Sequence, residues 1–221
     1  IIAEHKAVRD SVGVFFLLHM GEVEVRGKDA FAFVQKLTTN DVSKLEKGKV
    51  QYSSMCLENG GVIDDLLVYH CGDYFMLVIN ASNIEKDLEW MSKNTFGDVE
   101  LKNVSDEVSL LAIQGKNSLP TLQKLTDTDL SKIEYYNFEF GKIAGIDCII
   151  SHTGYTGEKI CFEIYSKTDV AQSEKLWNEI FKAGEEFNIK PIGLGARDTL
   201  RLEYAFRLYG NDMDENYNPL E

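Results

Sequence analysis

Residues 25–45 recur at 113–133, displaced by 88 positions without a gap. Nine of the 21 aligned pairs are identical: Gly27/Gly115, Lys28/Lys116, Gln35/Gln123, Lys36/Lys124, Leu37/Leu125, Thr38/Thr126, Asp41/Asp129, Ser43/Ser131 and Lys44/Lys132. Val34/Leu122 and Val42/Leu130 add apolar matches. The period exceeds the roughly 20–50 residues of solenoid units. The repeat therefore predicts two related α+β halves, each a strand, a Gly turn, a helix, a meander of strands and a second helix. That order fits the ferredoxin-like split βαβ arrangement. The halves are set at residues 1–105 and 106–221. Extending the offset brings Asp64 and Asp65 near His152 and Thr153. Two polar loops then occupy equivalent places and, with pseudo-twofold packing, face one central cleft.

Composition narrows the class. The chain has 221 residues, and 23 Lys and Arg against 36 Asp and Glu give a net charge of −13. Such an acidic balance argues against nucleic acid as a partner, because phosphate binding needs clustered cations. No apolar run approaches the ~20 residues that span a bilayer. The four cysteines, Cys56, Cys71, Cys148 and Cys161, form no C-x-x-C and no close pair with His. This spacing speaks against a zinc site or disulfide framework and fits free thiols in a reducing compartment. The acidic stretch 212–215 lacks EF-hand spacing, so no metal is expected.

Strand-like runs fall at Val23–Arg26, Val50–Cys56, Val62–Tyr69, Tyr74–Ile79, Val108–Gln114, Ile146–Ser151 and Ile160–Tyr165. They are rich in branched and aromatic residues and bounded by Gly, Asn or Asp. Helix-like runs fall at Lys28–Thr38, Ile84–Asn94, Asn117–Thr126, Val170–Phe187 and Ala196–Phe206. Ser82-x-x-Glu85 has capping-box spacing. Val170, Leu176, Trp177, Ile180 and Phe187 form one apolar face of the fourth helix.

Three clusters have the residue types that chemistry needs. In the first, Asn59-Gly60-Gly61 reads as a hairpin turn leading into Asp64 and Asp65. Side chains alternate across a strand, so the two carboxylates point to opposite faces. A carboxylate facing inward requires a hydrogen-bonding or charged partner; the residues alone leave open a solvated pair at a strand end. In the second, Thr153-Gly-Tyr-Thr-Gly-Glu158 presents Tyr155 between glycines, either as a stacking platform or as an ordinary hairpin. In the third, Gly193-Leu-Gly-Ala-Arg-Asp198 places Arg197 in the first turn of a helix, where it opposes the helix dipole. An anionic ligand would explain that placement, and so would a surface network of Arg197, Asp198, Arg201 and Glu203.

Taken in order, these clusters resemble the aminomethyltransferase family, the T protein of the glycine cleavage system. The matching segments are Val8-Arg-Asp-Ser-Val-Gly-Val-Phe15, His19-Met-Gly-Glu22, Thr39-Asn-Asp41, Asn59-Gly-Gly-Val-Ile-Asp-Asp65 and Asn80-Ala81. Thr153-Gly-Tyr-Thr-Gly-Glu158, Phe162-Glu163, Gly193-Leu-Gly-Ala-Arg-Asp198 and Leu208-Tyr-Gly-Asn-Asp212 continue the series. The resemblance implies a folate-binding core of two ferredoxin-like halves, with the family's N-terminal segment and C-terminal barrel-like domain lying beyond Ile1 and Glu221. It implies an enzyme that moves a one-carbon unit from an aminomethyl-lipoyl carrier protein (H protein) to tetrahydrofolate, releasing ammonia. Asp65 is then the catalytic carboxylate near the folate N10. Tyr52, Asn80, Tyr135, Tyr155, Glu163 and Arg197 line the folate site, with Met20 nearby. The compartment implied is the bacterial cytoplasm or the mitochondrial matrix.

Departures from the family pattern are Phe16-Leu17-Leu18 for a polar segment, Gln114-Gly-Lys116 for Gln-Gly-Pro, and Lys159-Ile-Cys161 after the tyrosine loop. Alternatives on the same scaffold are a folate-dependent demethylase, the folate domain of a sarcosine- or dimethylglycine-type oxidase, and a non-enzymatic folate-binding or iron–sulfur-assembly helper. The helper branch carries Lys-Gly-Cys-Tyr-Thr-Gly-Gln where this chain reads His152-Thr-Gly-Tyr-Thr-Gly-Glu158.

Overall fold

The computed structural model describes residues 1–17 and 20–220; Leu18 and His19, from two of the segments singled out above, lie outside the described residues. In chain order, helix α1 (Ile2–Asp10) precedes strands β1 (Gly13–Phe16) and β2 (Gly21–Arg26). Helix α2 (Ala30–Leu37), strands β3 (Val50–Cys56), β4 (Val62–His70) and β5 (Phe75–Ile79), helix α3 (Ile84–Lys93) and strand β6 (Glu100–Asn103) follow. The later chain forms β7 (Val108–Gln114), α4 (Ser118–Gln123), β8 (Phe138–Ile143), β9 (Ile146–Ser151), β10 (Cys161–Lys167), α5 (Val170–Ala183), β11 (Lys190–Ile192) and α6 (Leu194–Glu203).

The chain divides into two compact units. One is Ile1–Leu18 with Glu107–Phe206, here the β10 unit; the other is His19–Asp106 with Arg207–Glu221, the β4 unit. The internal break falls one residue from the boundary set by the repeat, but both ends of the chain belong to the other half. Backbone pairing explains this. β1 pairs with β7 and β11, while the Val62 amide faces the Asp214 and Tyr217 carbonyls at 3.1 Å.

The repeat is visible in the sheets. The β4 unit holds a five-stranded sheet, β3-β4-β5-β2-β6, and the β10 unit a six-stranded one, β8-β9-β10-β7-β1-β11. Both therefore share one α+β plan, with β2 and β7 in the same place and β6 or β1 beside them. The meander has one strand more than a split βαβ unit. As a result the helix after β2 leads to a strand antiparallel to it, three positions along the sheet.

The identical pairs make equivalent local contacts. Gly27 and Gly115 have φ of +107° and +116°, and a Cβ there would lie 2.1 Å from the Asp98 carbonyl oxygen or 2.5 Å from that of Ser11. The Val42 amide donates to Gln35 Oε1 at 2.8 Å, and the Leu130 amide to Gln123 Oε1 at 3.0 Å. Asp41 and Asp129 each accept from the serine amide two residues on, at 3.1 and 3.2 Å, capping one-turn 3-10 helices.

The extended offset does not hold. Residues 57–61 join β3 to β4, but Ala144 and Gly145 alone join β8 to β9, both at positive φ. Pairing then sets Asp65 opposite Ser54 and Asp147 opposite Lys142, so Asp147, and not His152 or Thr153, is the counterpart of Asp65.

Each unit has its own apolar core. In the β4 unit Val23, Val25, Phe33, Leu66, Val68, Leu77 and Met91 cluster with others; in the β10 unit Val14, Ile113, Leu122, Ile150, Phe162, Ile164 and Ile180 do so. Two local expectations fail. Val170 is exposed, so the inner face of α5 begins at Leu176. Ser82 sits within a 3-10 turn at Ala81–Asn83, and the N-cap of α3 is Asn83, with no side-chain cap.

Candidate active site

In the β4 unit the two adjacent carboxylates separate as strand alternation requires. Asp64 shares its face with Leu66 and Val68 of the core and is fully buried. Asp65 lies on the other face, partly exposed. Asn80, one residue past the end of β5, bridges them. Its Nδ2 donates to Asp64 Oδ1 at 2.8 Å and to Asp65 Oδ1 at 2.9 Å, while its amide donates to Asp64 Oδ2 at 3.2 Å. Tyr52 stands two residues from Ser54, the cross-strand partner of Asp65, and its hydroxyl donates to Asp65 Oδ2 at 3.0 Å. The solvated strand-end alternative is thereby excluded.

Burial, then the charge of Asp64, raises Asp65 from 3.8 to about 6; the Tyr52 and Asn80 hydrogen bonds oppose the rise. A carboxyl at that value is mostly ionised at neutral pH, yet basic enough to take a proton. Beneath it, Asp87 on α3 is fully buried, and burial raises it to about 10, reinforced by the neighbouring carboxyl of Asp64.

The hairpin before Asp64 is held by backbone geometry. Gly60 has φ of +90°, and Gly61 lies so close to the Glu215 carbonyl that a Cβ would approach within 2.0 Å of it. Met20, half-buried, sits in a bend before β2.

In the β10 unit Glu163 on β10 is buried and accepts hydrogen bonds from Thr153 Oγ1 and, at 3.5 Å, from the Tyr165 hydroxyl. Burial raises its carboxyl above the ordinary value, opposed by Thr153, by the Arg197 charge and by Tyr165. Glu163, Tyr155 and Arg197 line one recess together with Phe15, Leu17, Ala112, Gln114 and Thr156. Arg197 stacks its guanidinium over the Tyr155 ring at 4.4 Å, which accounts for an arginine in the first turn of α6. The alternative surface network does not form as a unit: Arg201 pairs with Asp198 at 2.8 Å, while Glu203 pairs with Arg9. The half-exposed ring of Tyr135 packs edge-on against His152 at 5.5 Å and is not part of the recess lining.

The tyrosine loop is fixed from several sides. Thr156 Oγ1 donates to Gln114 Oε1 at 2.7 Å, and Arg9 donates to the Thr156 carbonyl at 2.7 Å and to Glu158 at 2.6 Å. Gly154 packs against the Gln114 amide, and Gly157, at φ +79°, lies against the Tyr204 ring.

Sequence reasoning missed Gln114, Leu17 and Asp87 as site neighbours and placed Thr153 and Thr156 only within the tyrosine loop. For Asp87 there was a signal: it sits on the face of Ile84, Leu88 and Met91, an acid where the helical period requires an apolar residue. Among the described residues no group of three or more His, Cys, Asp and Glu is placed to hold a metal ion. No helix among them is long and apolar enough to cross a membrane.

The sequence profile of the GCVT N-terminal domain matches residues 1–221. An aminomethyltransferase of Caldanaerobacter subterraneus subsp. tengcongensis is 54% identical over 224 residues, covering 100% of this chain and 59% of that protein. One of Flavobacterium psychrophilum is 52% identical over 221 residues, covering 99% and 61%. The chain thus spans about three-fifths of the length of these relatives. The crystal structure of glycine cleavage system aminomethyltransferase T from Bartonella henselae superposes with a TM-score of 0.87 at 29% identity, covering 98% of this chain and 57% of that one. A heterotetrameric sarcosine oxidase from Corynebacterium sp. U-96 shares the fold, with a TM-score of 0.62 at 15% identity over 84% of this chain and 91% of that one.

Proposed function

The chain belongs to the GCVT N-terminal domain family, and from that premise we propose that it carries the folate-binding core of an aminomethyltransferase of the glycine cleavage system. The donor would be an aminomethyl group on the lipoyl arm of a carrier protein, the acceptor tetrahydrofolate, and the compartment the cytoplasm or the mitochondrial matrix.

The observation that carries this reading is Glu163. A buried carboxylate beside Tyr155 and Arg197 is a suitable acceptor for a planar heterocycle rich in N–H donors, which a pterin is. Tyr155, held by Arg197, offers an aromatic wall and Leu17 an apolar one. Tyr135 and Met20 are assigned supporting contacts with the folate.

Asp65 is assigned the chemistry. Its ionised carboxylate stabilises positive charge at the carbon in transit and orients, or takes a proton from, the attacking folate nitrogen. Tyr52 and Asn80 fix its two oxygens, so the carboxylate is oriented before substrate arrives.

Calorimetry with tetrahydrofolate tests the folate site. Glu163→Gln removes the charge from the acceptor and should raise Kd about 100-fold, the loss expected for two charge-assisted hydrogen bonds. Unchanged affinity in that variant, or no binding by the wild type, would refute the assignment.

A further inference from the structure

Asp87 has no place in the chemistry just described, yet it is among the most unusual groups in the β4 unit. Its side chain is fully buried on α3, on the helix face otherwise formed by Ile84, Leu88 and Met91. Neither of its carboxyl oxygens receives a hydrogen bond from an N–H or O–H donor of the described residues. Its polar neighbour is the carboxylate of Asp64, which is fully buried as well and already accepts two hydrogen bonds from Asn80.

The lysine that acts on Asp87 has its hydrogen bonds elsewhere. Lys86 Nζ donates to the Ile63 carbonyl at 2.6 Å and to the Tyr209 hydroxyl at 2.7 Å, and stands 3.9 Å from the Tyr209 ring centroid. Among the described residues, the charged groups that act most on Asp87 are Asp64 and Asp65 from β4 and Lys86 from its own helix. Two buried carboxyls in contact cannot both be ionised, and one proton between them turns repulsion into a hydrogen bond. The donor role falls to Asp87, since Asp64 is committed as an acceptor.

We propose that Asp87 is a positioning residue: a carboxylic acid that donates a hydrogen bond to Asp64, fixes it as acceptor for Asn80, and through Asn80 Nδ2 holds Asp65. The assignment of a role in transfer rests on the function proposed above; the protonation and the coupling to Asp65 do not. The chain of contacts is continuous. Asp87 meets Asp64, Asp64 takes Asn80 Nδ2 at 2.8 Å, and the same nitrogen reaches Asp65 at 2.9 Å. The elevated affinity of Asp87 for its proton agrees with this arrangement.

Asp87→Asn keeps a donor toward Asp64 without a titratable group. Asp87→Ala removes the donor and leaves Asp64 without that partner. The experiment is carbon-13 NMR of the protein labelled at its aspartate carboxyls, titrated from pH 4 to pH 9. One carboxyl should stay protonated across the range in the wild type and be absent from Asp87→Asn. The Asp65 midpoint should be unchanged in Asp87→Asn and displaced by about half a unit or more in Asp87→Ala. In aminomethyl transfer, Asp87→Asn should stay near wild type and Asp87→Ala should lose about tenfold or more in kcat with the folate KM retained. Every aspartate titrating below pH 6, or an Asp65 midpoint unmoved in folded Asp87→Ala, would overturn the proposal. A wild type with the protonated carboxyl but no transfer activity would refute the functional reading alone, leaving the acid pair supported.

Discussion

Replacing Asp65 with asparagine should make the protein more stable at neutral pH, not less. Asp65 is raised from 3.8 to about 6, first by burial and then by the charge of Asp64. Each pKa unit corresponds to about 1.36 kcal/mol, so ionising Asp65 in the folded chain costs up to about 3 kcal/mol relative to the unfolded chain. The sign follows from the direction of the shift. Below about pH 4 the group is protonated in both states and there is no cost. The cost grows as pH rises from 4 to 6 and is complete above about 6. Part of the carboxyl faces solvent, which makes the figure an upper bound. An asparagine amide must also meet the Asn80 Nδ2 and Tyr52 donors, and one poorly matched hydrogen bond returns about 1 kcal/mol. The net expectation at pH 8 is a gain of about 1–2 kcal/mol, or roughly 2–8 °C in Tm for a chain of this size. Urea unfolding of wild type and Asp65→Asn at pH 4 and pH 8 measures it, with the gain present at pH 8 and absent at pH 4. A variant less stable than wild type at pH 8, or a difference independent of pH, would refute the claim that Asp65 is held ionised at a cost to the fold.

Two further outcomes test the packing around the site. Gly157→Ala should loosen the tyrosine loop, because its φ of +79° is unfavourable for alanine and the new Cβ would come within 2.1 Å of the Tyr204 ring; a loss of about 1–3 kcal/mol in denaturant unfolding is expected. The four cysteines are free, and burial pushes Cys71 up to about 12 and Cys148 up to about 11, while Cys161 is raised as well. A disulfide reagent at pH 8 should therefore label the half-buried Cys56 first and the other three only on unfolding; rapid reaction of all four in the native protein would contradict that burial.

Much of the β4 unit was legible because its sequence signals are local. β3 is placed to the residue, as is β7 of the other unit by its run of Val, Leu and Ile. The identities at Gly27, Gln35, Asp41 and their counterparts mark backbone contacts that each compact unit makes within itself. What the sequence hid was long-range. β1, β6, β8 and β11 are short or carry charged residues, and β1 and β11 are fixed only by pairing with strands distant in the chain. The same holds at the site. Strand alternation separated Asp64 from Asp65, but only the fold brings Asn80 to both and Asp87 beneath them. The constant offset misled where the hairpin shortens to two residues, since one slip in length reassigns every position beyond it.

The central claim is that Asp65 performs the chemistry and is dispensable for binding. Aminomethyl transfer from a loaded lipoyl carrier protein to tetrahydrofolate, measured for wild type and Asp65→Asn alongside calorimetric folate affinity, tests it directly. The account predicts a fall in kcat of about 100-fold or more, with Kd within about threefold of wild type, as expected when a group acting in the transition state is lost. Transfer at the wild-type rate by Asp65→Asn would contradict it.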